Sequence, residues 1–133
     1  MIKKTLTYTD FNGETVTEDL WFNLSDTERI RLNARYISGG YTDLNEYLQS
    51  LIAKKDTAKM VALVEDVILS AYGQRSDATH FYKTKQIRED FENSIAYAEM
   101  FELLFTNSDE MKKFTAGVMQ KQQETTPLVQ QIS

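Results

Sequence analysis

The feature that most constrains this chain is the run from Ile2 to Phe22, a Thr-rich stretch of β-branched and aromatic residues broken at Asp10-Phe11-Asn12-Gly13-Glu14. That pattern predicts a β-hairpin turning at Asn12-Gly13. Its register decides which side chains reach a core, because a slip of one residue turns every side chain over. A loop of Asn12 and Gly13 alone would set Tyr8 against Thr17 and Leu6 against Asp19, splitting the apolar residues between two faces. A longer loop, Phe11 to Gly13 with Gly13 left-handed in a G1 bulge, pairs Tyr8 with Val16, Lys4 with Leu20 and Ile2 with Phe22. Ile2, Leu6, Tyr8, Val16, Leu20 and Phe22 then share one face, and this is the register expected. A lone hairpin is barely stable in water, so that face must rest on helices.

Helical signals follow at once. Ser25-Asp26-Thr27-Glu28 has the spacing of a capping box. It predicts a first helix from about Asp26 to Ile37, with Ile30, Ala34 and Ile37 as a thin apolar stripe and Gly39-Gly40 as its stop. A second helix begins near Asp43 and places Leu44, Tyr47, Leu48, Leu51 and Ile52 on one buried face. After Lys54-Lys55-Asp56, a third carries Met60, Val61, Leu63, Val64, Val67, Ile68, Leu69 and Tyr72 around most of its circumference, as a central helix would. Gly73 is expected to close it. Residues 74–85 read as an irregular connection and Gln86 to Phe91 as a short turn. Ser94 to Phe105 then forms a helix with Tyr97, Met100, Phe101, Leu104 and Phe105 on a wide apolar face. Asn107 or Ser108 caps a last helix that has Asp109 and Glu110 at its positive end. From Gln120 the composition turns to Gln, Thr and Ser around the sole proline, Pro127, which predicts a disordered polar tail.

The expected fold is thus α+β and mostly α: an N-terminal β-hairpin over residues 1–24 packed on a bundle of about five helices over 25–119. Residues 1–119 form a single domain in this reading and 120–133 a flexible tail. A chain of 133 residues buries about two thirds of its unfolded surface, enough for one core. There is no cysteine, so disulfides and thiolate metal sites are excluded. Met1 to Tyr8 lacks the apolar stretch of a signal peptide, and no window reaches the roughly 20 apolar residues of a membrane span. Cytosolic residence without a membrane partner is expected. Twenty acidic against fifteen basic residues give a net charge of −5, which argues against general affinity for nucleic acid.

Catalytic chemistry has little to rest on. His80, the sole histidine, reads as an ordinary surface or half-buried residue. Adjacent acids such as Glu65 and Asp66 or Glu89 and Asp90 point about 100° apart on a helix and do not converge on one ion. Gly39-Gly40 lacks the lysine of a phosphate loop, and there is no nucleophile elbow. The chain is therefore expected to be no enzyme, with no catalytic, cofactor or metal residues.

Two groups of residues remain as candidates for binding a partner. Arg29, Arg31 and Arg35, with Lys54, Lys55 and Lys59 further on, are a local excess of positive charge whose plainer reading is a solvated helix surface. Met100, Phe101, Phe105, Met111, Phe114, Val118 and Met119 form apolar stripes on the last two helices. Core is their plainer reading, yet Met-rich surfaces suit adaptable helix binding. Three or four such side chains left exposed would each contribute roughly 1.5–3 kcal/mol on burial, enough for a micromolar contact after the costs of association. Weak self-association is compatible with such a surface.

The ordered set Thr7 to Gly13, Trp21-Phe22-Asn23-Leu24, Gly39-Gly40, Lys55-Asp56, Ile68-Leu69-Ser70-Ala71-Tyr72-Gly73 and Ser76-Asp77 resembles the tail assembly chaperones of long-tailed bacteriophages and prophages of Gram-positive hosts. Phe81, Lys83, Phe91, Ser94, Tyr97, Glu99 and Phe114 with Gly117 continue the resemblance, which spans residues 5 to about 118. The Arg-rich first helix and Gln-rich tail depart from the family pattern. The resemblance implies a non-enzymatic protein of the host-cell cytoplasm, left out of the mature virion. It would bind the tape measure protein and, through a longer frameshifted form, tail tube subunits. Competing readings are a structural tail or head-completion subunit, or a small regulatory protein.

Overall fold

A computed structural model describes residues 1–37, 40–41 and 43–120. The polar tail expected from Gln120 lies, from residue 121 on, outside the described residues, as does Gly39. Strands β1 (Ile2–Thr9) and β2 (Thr15–Phe22) open the chain, followed by helices α1 (Asp26–Tyr36), α2 (Leu44–Lys54) and α3 (Thr57–Ala71). Strands β3 (Tyr72–Arg75) and β4 (Phe81–Tyr82) come next, then α4 (Lys85–Glu92), α5 (Ile95–Thr106) and α6 (Ser108–Met119). The architecture is α+β and mostly helical, a hairpin against six helices.

The first hairpin has the expected register: Ile2 faces Phe22, Lys4 faces Leu20 and Tyr8 faces Val16. Asp10 and Glu14 close the loop through a 2.8 Å backbone bond, and Gly13 takes φ +82°, the left-handed conformation its bulge requires. Asp10 also accepts the amides of Asn12 and Glu14 with its carboxylate, at 2.9 Å each. Even-numbered residues turn inward along both strands, with Leu6, Leu20 and Phe22 buried. Tyr8 donates diagonally to Glu18 at 2.5 Å, and that carboxylate beside the phenol pushes its pKa up to about 12. On the outer face Trp21 is flanked by Arg75 at 4.6 Å and Lys3 at 5.7 Å from its ring.

Helix starts follow the expected capping. Ser25 and Glu28 form the reciprocal box at 3.2 and 2.9 Å, Asp43 caps α2, and Asn107 caps α6 ahead of Asp109 and Glu110. Lys55, left-handed at φ +57°, ends α2, and Asp56 starts α3. The central helix is central: Leu63, Val64, Val67, Ile68, Leu69 and Ala71 are all buried, with α1, α2, α4 and α6 packed around it.

Four expectations are corrected. Of the expected α1 stripe only Ile37 packs on the core: Ile30 is 67% exposed and Ala34 is exposed, whereas Leu32 is buried and Arg29 turns inward beside it. Arg29 reaches the core boundary because its guanidinium donates to the Leu24 carbonyl at 2.6 Å and pairs with Asp26, so its charge is satisfied where an apolar residue was expected. Residues 74–85 are not irregular. They hold a second hairpin that extends the sheet in the order β1-β2-β3-β4, with Trp21 against Gly73 and Phe22 against Tyr72. Gly73 accordingly is no helix stop. The helix ends one residue after Ser70, at Ala71, and a Cβ on Gly73 would sit 2.6 Å from the Phe81 ring and 2.8 Å from the Tyr82 carbonyl. Glycine there leaves room for the Phe81 ring of β4 to lie against the β3 backbone. Finally, the short turn expected around 86–91 is a full helix, α4.

Phe22 is the hub of the core. Phe114 meets it edge-on at 5.0 Å, Tyr72 at 5.9 Å and Phe91 at 6.2 Å, while Tyr72 and Phe91 stack at 3.7 Å. Each such ring pair adds about 0.5–1.5 kcal/mol beyond burial. One residue from the first hairpin thereby ties together β3, α4 and α6.

Candidate interaction surfaces

The apolar candidates of α5 and α6 divide by burial. Met100, Met111, Phe114 and Val118 are 0–6% exposed and belong to the core, which corrects their expected place on a partner surface. The hairpin covers Met100 and Phe114, and α2 packs along α6. Ile2 seats against Gly117, where a Cβ would lie 2.3 Å from the Ile2 Cδ1, and Lys4 pairs with Glu110 at 2.8 Å. Between β1, α5 and α6 a groove of about 330 Å³ remains, with Met100, Leu104 and Phe114 along its walls. Phe101, Phe105 and Met119 are only partly buried. Phe101 and Phe105 stand one turn apart with ring centroids 4.5 Å from each other, a ridge on the flank of α5; Leu103 is half-buried on its other flank. A chain of rings from Phe91 through Tyr97 to Phe101, at 5.5 and 6.1 Å, connects this ridge to the core. Tyr97 anchors it by donating to Glu65 at 2.8 Å; burial and that carboxylate push the phenol well above its usual range.

Among the arginine candidates, Arg31 and Arg35 are exposed and Arg29 is not. Arg31 and Arg35 lie on one side of a cleft of about 320 Å³, and Lys83, Lys85 and Arg88 lie on the other. Leu32, Leu69 and Tyr72 give it an apolar floor, and Glu28 is the one acid in its lining. Lys83 holds the cleft together by donating to Glu28 at 2.7 Å and to the Ser70 carbonyl at 2.9 Å, which joins α1, α3 and the start of α4. Burial lowers the Lys83 pKa against the pull of Glu28. Burial raises that of Glu28, but hydrogen bonds from Lys83 and Ser25 outweigh it and hold the carboxyl below the usual range. Behind the cleft Asp66 accepts from Arg35 at 2.5 Å, Tyr36 at 2.7 Å and Ser70 at 3.0 Å, with Arg88 at 3.8 Å. Those hydrogen bonds overcome its burial and hold Asp66 low as well. Glu65 and Asp66 thus point to different partners, as adjacent helical positions should. Sequence reading missed Lys83, Lys85 and Arg88, whose spacing is visible but whose approach to α1 depends on the second hairpin.

His80 is exposed and stacks at 6.1 Å on Tyr82, in a turn organised by the Asp77 carboxylate, which accepts the amides of Thr79 and His80 at 2.8 and 2.9 Å. Among the described residues no three His, Cys, Asp or Glu side chains gather as a metal site would require, and no helix is long and apolar enough to cross a membrane.

The sequence profile of the phage tail assembly chaperone family matches residues 1–127, well beyond the span of the motifs and through every element of the fold. This chain belongs to that family. No curated protein and no solved structure matches it. Tail assembly chaperones act on protein partners, which directs attention to the two surfaces above: the Phe101–Phe105 ridge of the chaperone and its basic cleft.

Proposed function

We propose that this tail assembly chaperone binds the tape measure protein and covers apolar helical faces of that client until tail tube subunits replace it. The observation that carries this reading is the ridge of Phe101 and Phe105, two partly buried rings on one flank of α5 whose centroids lie 4.5 Å apart. Adjacent rings one helical turn apart suit the groove of an amphipathic helix, and a contact of that size gives the modest affinity a displaceable chaperone needs. The working unit is residues 1–119, and a longer frameshifted product would recruit tube subunits. It acts in the host-cell cytoplasm without catalysis and is absent from the mature particle.

Co-expression with the tape measure protein of the same phage, followed by sedimentation and pull-down, tests this. A soluble, retained client supports the reading, and Phe101→Ser with Phe105→Ser should release it. An insoluble, unbound client overturns it. Mass spectrometry of purified virions separates it from a structural-subunit role, which requires the chain in the particle.

A further inference from the structure

We propose that the cleft between α1 and α4 is a second docking site, specific for an acidic segment of a protein partner in which carboxylates flank an apolar side chain. Five basic residues line it in a chain of net charge −5, so the cationic lining is concentrated against the overall charge of the molecule. Those residues are unequal. Lys83 is committed to Glu28 and Ser70, and Arg35 to Asp66. Arg31 is exposed and makes no ion pair or hydrogen bond among the described residues, and the pairs of Lys85 with Glu89 and Arg88 with Asp66 are loose, at 3.8 Å each. Arg31, Lys85 and Arg88 can therefore turn to an incoming carboxylate at little loss, since exposed pairs of this kind contribute almost nothing. Lys85 also occupies the first turn of α4, a helix with no acid there, where a cation sits against the positive end of the dipole and a bound anion relieves it.

The floor tells which anion. Leu32, Leu69 and Tyr72 offer apolar surface between the two rows of charge, which suits a side chain rather than a phosphate backbone. Tyr72 has its ring face stacked on Phe91 at 3.7 Å, so it offers no free platform for a base. The site is separate from the Phe101–Phe105 ridge and stands whether or not the tape measure protein is the client.

The test uses the full chain and a fluorescein-labelled synthetic peptide with glutamates flanking one phenylalanine. Controls are the same peptide with glutamines and labelled oligothymidylate, each at low and high salt. Anisotropy should show saturable binding of the glutamate peptide, weakened by salt and roughly tenfold weaker for the glutamine peptide and for the Arg31→Glu, Lys85→Glu variant. Both substituted residues are exposed, so the variant should keep its circular dichroism melt, and a lysine-flanked peptide should bind it better than wild type. No binding, equal binding of the glutamine peptide, unchanged binding by the variant, or preference for oligothymidylate would each overturn the proposal.

Discussion

The groove beneath β1 and the cleft between α1 and α4 have similar volumes, about 330 and 320 Å³, but the molecule uses them in opposite ways. Around the groove, methionines and aromatics that resemble a binding surface in sequence are consumed by the core, with Met100 fully buried and Phe114 edge-on to Phe22. At the cleft, charges that resemble ordinary solvated helix surface are gathered from α1, α4 and the link between β4 and α4. In a chain this small, apolar residues are first required to hold the fold together, and the two docking surfaces proposed above draw on what remains: one ring ridge and one cluster of cations.

The comparison breaks most visibly at Phe114. Phe114→Ala leaves a cavity beside Phe22 and should cost about 3–5 kcal/mol, measured as a lowered urea midpoint. A loss below ~1 kcal/mol would mean that the ring is not core and would restore it as a binding residue. Next, Gly73→Ala forces the Phe81 ring and the Tyr82 backbone away from β3. The expected loss is about 1–3 kcal/mol in the same assay, because a backbone carbonyl cannot move aside as a side-chain tip can.

Acid sharpens the comparison from the cleft side. Asp66 and Glu28 have folded pKa values below their unfolded ones, so their ionised forms favour the native state. That stability is present above the unfolded values of about 3.9–4.3 and is lost as pH falls through the lower folded values. The melting temperature should hold steady from neutrality to about pH 5 and drop below it. Asp66→Asn should lower the neutral plateau by about 1–2 kcal/mol and shrink the acid fall. An acid limb unchanged in that variant would show that the Asp66 network is not what acid breaks. The smallest effect is expected at Arg31→Ala with Lys85→Ala, within about ±0.5 kcal/mol of wild type by urea unfolding. A larger loss would make the cleft's rim a structural element.

The first hairpin was legible residue by residue because its register depends on local rules, the loop length, the left-handed glycine and the alternation of apolar side chains. Four of the six helix starts among the described residues were legible for the same reason: Ser25, Asp43, Asp56 and Asn107 satisfy amides a few residues away. β3 and β4 were hidden. Tyr72 to Arg75 carries almost no strand propensity of its own and becomes a strand because β2 offers it an edge. Arg29 misled for a related reason. Only the placement of the Leu24 carbonyl gives its guanidinium a buried partner, and no periodicity in α1 could announce it.

Local chemistry in the sequence therefore determined the opening hairpin, the helix starts, the central helix and, through the ordered motifs, the family. Tertiary structure alone decided which of the candidate residues are left at the surface. Burial is a property of what packs against a side chain, and the neighbours that cover Met100 or bring Lys83 to Glu28 lie dozens of residues away in the chain.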